Sequence, residues 1–346
     1  MIQESSITQT VQPVQSVIYF HGDFVLESGK TLSNPEFAYQ VWGNINEDKS
    51  NVIWVCHALT GNHLIHEWWG GLFGEGKLFD PNEYCIISVN VLGSCYGSTG
   101  PVSSGLFRDF PTVTIRDIVN GLEVVRRALE IEKVKILIGA SVGGQQVLEW
   151  AILQPEIFES IIPIATNFKH SPFGVAFNEA QRLAILADET YKFNYPHGGR
   201  NGLVAARAIG MISYRSYEGY SITQTEDSED KFDSFKASSY QKYQGEKLAN
   251  RFDAYSYITL SKAMDSQNVL RNRGTLDEVV LHLNMPALVV GIDSDMLFPL
   301  SEQQLIAEKL PNAQLVVLSS DFGHDGFLVE FTALTKAIQT FIEKQF

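Results

Sequence analysis

Between the apolar run Val134-Lys135-Ile136-Leu137-Ile138 and the helix-like stretch Gln145 to Trp150, the chain carries Gly139-Ala140-Ser141-Val142-Gly143-Gly144. A buried strand, one serine in a glycine-flanked turn and a following helix form a nucleophile elbow. Glycines lack a Cβ, so the chain can bend sharply enough to push the serine into an exposed, strained position. The next helix then aims its N-terminal amides at the reacting centre. A bare G-x-S-x-G is weak evidence, because small residues often fill a strand-to-helix turn simply to pack closely. Its place between strand and helix gives Ser141 the reading of a nucleophile.

A serine nucleophile needs a base, and the base needs an orienting acid, here expected in the order Ser, Asp, His. Pro286-Ala287-Leu288-Val289-Val290-Gly291 is uncharged and β-branched, so it reads as a buried strand. It runs into the loop Ile292 to Pro299, which carries Asp293 and Asp295. Asp295 lies four residues before Pro299 and takes the acid role. Asp293, nearer the strand end, reads as a loop cap. The next apolar strand, Gln314 to Leu318, empties into Ser319 to Gly326, where His324 takes the place of the base and Asp321 shapes the turn.

The oxyanion formed by serine attack needs two backbone donors. The amide of Val142, next to the nucleophile, is one. The other is expected from the loop His57-Ala58-Leu59-Thr60-Gly61, which follows the strand Asn51 to Cys56. A metal reading of His57, His63 and His66 has only a loose H-x-x-H behind it, so no metal is assigned. Cys95 is a weaker nucleophile candidate than Ser141.

Strand-rich sequence, including Ser16 to Phe20 and Phe37 to Trp42 as paired strands, gives way to alternating strands and helices through Ala165. That alternation predicts a mostly parallel sheet wrapped by helices. From about residue 169 to 275 helical periodicity takes over, and strand patterning resumes at Pro286. The expected organisation is an N-terminal arm over 1–16, a core over 17–168, a helical lid over 169–275 and the rest of the core over 276–346.

A formal charge of −14 argues against nucleic-acid binding, because neutralising phosphates needs clustered Lys and Arg. Three cysteines, Cys56, Cys85 and Cys95, read as free thiols in a reducing compartment. Residues 1–10 lack the basic start and apolar core of a signal peptide, and no apolar run is long enough to span a bilayer. A cytoplasmic location with no membrane partner is expected.

Several blocks resemble, in order, the homoserine O-acetyltransferase family of α/β-hydrolase-fold acyltransferases. They are Cys56 to Gly61, Asn90 to Pro101, Thr114 to Asp117, Phe177 to Arg182, Tyr243 to Lys247, Arg251 to Tyr257 and Gly323 to Leu328. Family members usually carry Ser-Met-Gly-Gly at the elbow, where this chain has Val142 with its backbone donor kept. The resemblance, together with the loop's position, singles out Leu59 as the second oxyanion donor. It also implies that Arg182 and Asp325 bind a zwitterionic acceptor, and that the protein is a homodimer through its lid.

The implied activity is ping-pong transfer of acetyl from acetyl-CoA, as cosubstrate, to L-homoserine for methionine synthesis, with no bound cofactor. The CoA phosphates would need local cations such as Arg108 or Lys247. Succinyl transfer, serine acylation, a carboxylesterase and an inactive hydrolase-fold binding module remain the alternatives at this point.

Overall fold

The computed structural model of the protein describes residues 12–346. Residues 1–11, most of the arm expected over 1–16, lie outside the described residues. The first strand starts within that expected arm, at Val14.

The described residues open with β1 (Val14–Tyr19), a small hairpin of β2 (Asp23–Val25) and β3 (Thr31–Ser33), and β4 (Glu36–Trp42). Then come β5 (Val52–Cys56), a one-turn α1 (Ile65–Trp68), β6 (Cys85–Val89) and α2 (Ile115–Ala128). The nucleophile unit follows as β7 (Ile136–Ala140), α3 (Val142–Leu153) and β8 (Ile161–Ile164). Helices α4 (Pro172–Leu186), α5 (Arg200–Tyr214), α6 (Tyr217–Gln224), α7 (Lys236–Ala249), α8 (Ala254–Asp265) and α9 (Leu276–Val280) precede the next strand. The chain then completes the sheet with β9 (Ala287–Ile292), α10 (Leu300–Lys309), β10 (Ala313–Leu318) and α11 (Phe331–Gln345).

Among the described residues, eight strands form one sheet in the order β1-β4-β6-β5-β7-β8-β9-β10. β1 and β4 are antiparallel, with Val17 opposite Ala38, so the pairing expected from sequence is present. From β6 to β10 the strands are parallel. Parallel strands are covered on both faces, and β5, β7 and β9 are buried along their whole lengths. Alternate β5 residues serve opposite cores: Trp54 packs edge-on against Trp150 of α3, while Ile53 and Val55 join Phe327, Leu334 and Ile338 on the other face.

The register aligns the carboxyl ends. Cys56 faces Gly139, Ala140 faces Ile164, Ile164 faces Val290, and Ile292 faces Leu318. β6 and β7 lie on opposite sides of β5, so the strand order reverses there, where an open parallel sheet presents its ligand crevice. In the helical layer between β8 and β9, α4 packs on α5 and α8, and α5 packs on α7.

Candidate active site

At the end of β7 the backbone of Ser141 takes φ 58° and ψ −123°, a conformation costing an L-residue roughly 1–3 kcal/mol unless its surroundings enforce it. They do so here. The Ser141 amide donates to Ile164 O at 2.9 Å, and its carbonyl accepts from Thr166 Oγ1 at 2.9 Å and Gln145 N at 3.1 Å. A Cβ on Gly139 would sit 2.5 Å from the Gly143 backbone, and one on Gly143 would sit 2.2 Å from Cys56 O. Strands β5 and β7 and helix α3 therefore meet only because both positions lack a side chain.

Ser141 Oγ lies 2.8 Å from His324 Nε2, and His324 Nδ1 lies 2.6 Å from Asp295 Oδ2. A carboxylate only accepts, so the neutral ring carries its proton on Nδ1 and leaves Nε2 to accept from the serine. The other Asp295 oxygen accepts from the amides of Leu297 and Phe298, both at 2.9 Å, which fixes the carboxylate in place. Asp293 does something else: its Oδ1 accepts from Ser320 N at 3.1 Å and joins the acid loop to the histidine loop. Asp321 is engaged through its carbonyl, which accepts from Ser216 Oγ.

All three side chains are buried. Burial opposes a charge on His324, but the charge of Asp295, its hydrogen bond and the charge of Asp325 together raise the imidazole above its usual range. A base must be neutral to accept a proton. Acylation by 4-nitrophenyl acetate is therefore expected to fall as pH drops through a value above the ordinary ~6.5 of histidine. Asp325→Asn removes one of the carboxylates that retain the proton, so its acid limb should move to lower pH. A pH–rate profile of both proteins checks this, and a limb unmoved by Asp325→Asn would contradict it.

His57 is a brace. Its Nδ1 donates to Ala58 O at 2.9 Å and its Nε2 accepts from Val91 N at 3.1 Å, so both ring nitrogens are engaged. Burial pushes this imidazole down to about 4, which keeps Nε2 available as an acceptor at neutral pH. The Leu59 and Val142 amides donate to no backbone acceptor among the described residues. Cys95 has its thiol pushed up to about 12, chiefly by burial.

Above Ser141 opens a pocket lined by Ala58, Leu59, Thr60, Arg207, Tyr214 and Met264 with His324 and Asp325. Asp325 thus reaches the cavity, and Arg215 Nε stands 3.1 Å from its Oδ2. Arg182 does not line the pocket, contrary to the sequence expectation. Its Nη2 lies 2.7 Å from both Glu179 and Asp265, and its Nη1 donates to Ser261 at 3.2 Å. Two carboxylates neutralise it, and it joins α4 to α8.

The pocket cation is Arg207 on α5, which sequence reasoning passed over. It makes no salt bridge among the described residues and lies over the Tyr214 ring at 5.2 Å. Leu203, Ala206, Gly210, Met211 and Tyr214 form the buried face of α5, and Arg207 interrupts it. A lone arginine within an apolar helical stripe was the available signal. Neither Arg108, bonded to Asn194 at 2.9 Å, nor Lys247, over Tyr243 at 5.8 Å, lines this pocket.

The block Thr114 to Asp117 is structural. Thr114 and Asp117 form a capping box for α2, and Arg116 bridges Glu27 and Glu149 at 2.8 and 2.7 Å.

The profile of the alpha/beta hydrolase fold family matches residues 51–331. The homoserine O-acetyltransferase of Chlorobium chlorochromatii is 43% identical over 342 residues, covering 95% of this chain and 96% of that protein. Among solved structures, the homoserine O-acetyltransferase of Staphylococcus aureus superposes with a TM-score of 0.82 at 30% identity, over 96% of this chain and 95% of its own. An acetylester hydrolase from Corynebacterium glutamicum shares the fold, with a TM-score of 0.85 at 22% identity over 95% and 96% of the two chains.

Proposed function

The chain belongs to the homoserine O-acetyltransferase family of the α/β-hydrolase fold, and from that premise we propose that it carries acetyl from acetyl-CoA to L-homoserine through a Ser141 acyl-enzyme. The observation that carries the reading is the hydrogen-bonded chain from Ser141 through His324 to Asp295, at the floor of a pocket that Arg207 and Asp325 also line.

In the first half-reaction His324 Nε2 takes the Ser141 proton as Oγ attacks the thioester carbonyl. The Leu59 and Val142 amides hold the oxyanion. The C–S bond then breaks, and His324 returns the proton to the departing sulfur. In the second half-reaction His324 deprotonates the homoserine hydroxyl, which attacks the acetyl carbonyl. Ser141 leaves with the proton, and O-acetylhomoserine is released.

Recognising a zwitterionic acceptor needs a cation for its carboxylate and an anion for its ammonium. Arg207 and Asp325 supply that pair, and Arg207 replaces Arg182 in this role. Arg207 is also the one arginine or lysine among the lining residues, which favours acetyl over a succinyl group that would need a second cation. Dimerisation through the lid is supported by apolar side chains exposed on its helices, among them Leu183, Ile212, Tyr217 and Tyr243. Among the described residues no helix is long and apolar enough to cross a membrane. The three cysteines are free, in keeping with the cytoplasm as the working compartment.

Turnover assays crossing acetyl-CoA and succinyl-CoA with homoserine, serine and water test the reading. Acetyl-CoA with homoserine should be the productive pair. Preference for water would favour a carboxylesterase, and no turnover with any pair a binding module. Arg207→Ala and Asp325→Ala should each still release CoA in a single-turnover burst. Transfer to homoserine should then lose about 2–5 kcal/mol of transition-state stabilisation, the range for truncating one partner of a buried charge pair. Wild-type transfer by both variants would remove the amino-acid acceptor from the scheme.

A further inference from the structure

The loop that carries Leu59 is held through three of its carbonyls. His57 O accepts from Gln146 Nε2 of α3 at 3.1 Å. Ala58 O accepts from Gly61 N and from His57 Nδ1, both at 2.9 Å. A trans peptide sets its C=O and N–H in opposite directions, so fixing Ala58 O also aims the Leu59 amide. Both of these anchors belong to the core, one from α3 and one from the loop itself. The third does not: Thr60 O accepts from Arg251 Nη1 at 2.7 Å, and Arg251 lies between α7 and α8, in the helical insertion.

Arg251 is set up for this contact from both sides. The same Nη1 donates to Tyr96 Oη at 2.6 Å, in the loop after β6. The next residue, Phe252, is buried and packs edge-on against Tyr96 with ring centroids 5.7 Å apart. Arg251 makes no salt bridge among the described residues, so its charge is directed at two neutral oxygens. A charged donor strengthens such bonds. Three loops from separate parts of the chain therefore meet at one guanidinium, which fixes the Thr60–Gly61 peptide; the N–H of that peptide donates to Ala58 O at 2.9 Å, on the peptide that carries the Leu59 amide.

We propose that Arg251 is a positioning residue for the oxyanion hole: through Thr60 O, the lid holds the Leu59 amide in its working direction. The inference rests on the reading of Ser141 as nucleophile and Leu59 as oxyanion donor. It adds that the hole is completed by the helical insertion rather than by the core alone. Arg251 acts on the transition state through Thr60 and touches neither acetyl-CoA nor homoserine. Its loss therefore lowers kcat for any acyl donor, including one with no CoA to bind.

The test uses 4-nitrophenyl acetate as the donor and a small alkylboronic acid as the tetrahedral adduct of Ser141. Arg251→Ala should lower kcat ten- to a hundredfold with KM within about twofold. Boronate affinity should fall by a comparable factor, because the adduct places an oxygen in the hole. The melting temperature should remain close to that of the parent. Arg251→Lys, which can still donate to Thr60, should recover part of both losses. Tyr96→Phe, which leaves the Thr60 bond in place, should cost severalfold at most and gives a readout if Arg251→Ala folds poorly.

A kcat for Arg251→Ala within twofold of the parent would overturn the proposal. So would a kcat loss with unchanged boronate affinity, or a Tyr96→Phe loss as large as that of Arg251→Ala. Ser141→Ala in the same assay separates the two levels: if it retains turnover, the underlying nucleophile assignment fails independently of Arg251.

Discussion

Replacing Ser141 with alanine is expected to abolish acetyl transfer and the covalent acetyl adduct together. Alanine keeps the β7–α3 turn but has no Oγ to sit 2.8 Å from His324. Without it the thioester can be attacked only by water or by the acceptor directly, and no acyl-enzyme forms. A loss on the order of 10⁶-fold in kcat is the scale for deleting the nucleophile of such a unit, with residual rate from the surrounding donors and binding. Intact-protein mass spectrometry after a brief mixing with acetyl-CoA should show a 1:1 adduct on the parent and none on the variant. Undiminished CoA release by the variant would remove the two-step mechanism. Because alanine at φ 58° is as strained as serine, urea unfolding of the variant should match the parent within about 1 kcal/mol.

Asp295→Asn should be nearly as damaging, and Asp293→Asn should not. An amide at position 295 can still accept from the Leu297 and Phe298 amides through its oxygen. That turns its NH₂ group toward His324 Nδ1, which must then accept. The ring proton moves to Nε2, the atom that has to receive the serine proton, and the base is lost. A fall in kcat on the order of 10⁴-fold is expected. At position 293 the oxygen that accepts from Ser320 N survives the change, so the loss should stay within a few-fold. Steady-state rates of the two variants decide the assignment, and a larger loss for Asp293→Asn would reverse it.

The meeting of Ser141, His324 and Asp295 in the candidate site was legible because its signals are local. A glycine-flanked serine between strand and helix, and an aspartate and a histidine just past apolar strands, each announce their positions within a few residues. The parallel sheet was legible for the same reason, through continuous apolar runs such as Ala287 to Ile292. The cation proposed for the acceptor was not. Choosing Arg207 over Arg182 depends on which arginine meets carboxylates from another helix, and Asp265 is 83 residues beyond Arg182 in the chain. Electrostatic neutralisation of that kind is a tertiary property. The contacts of His57 and Arg251 were hidden likewise, since both bond backbone carbonyls that sequence patterns do not mark. The hairpin β2–β3 escaped because its strands are three residues each, too short for an alternation to register.

Insertion of the helices between β8 and β9 has a consequence for how the protein is born. Ser141 and His324 are 183 residues apart, and β9 completes the parallel sheet by pairing with β8 across the whole insertion. During synthesis β8 must wait as an unpaired edge while the helices emerge, roughly 6–25 s at the usual 5–20 residues per second. Such an edge invites pairing with other chains, and the amphipathic helices folding beside it are what can shield it in that interval. The order has a second consequence under the proposed mechanism: the serine elbow is translated early and His324 only after the helices that line the pocket, so a nascent chain would hold Ser141 without its proposed base.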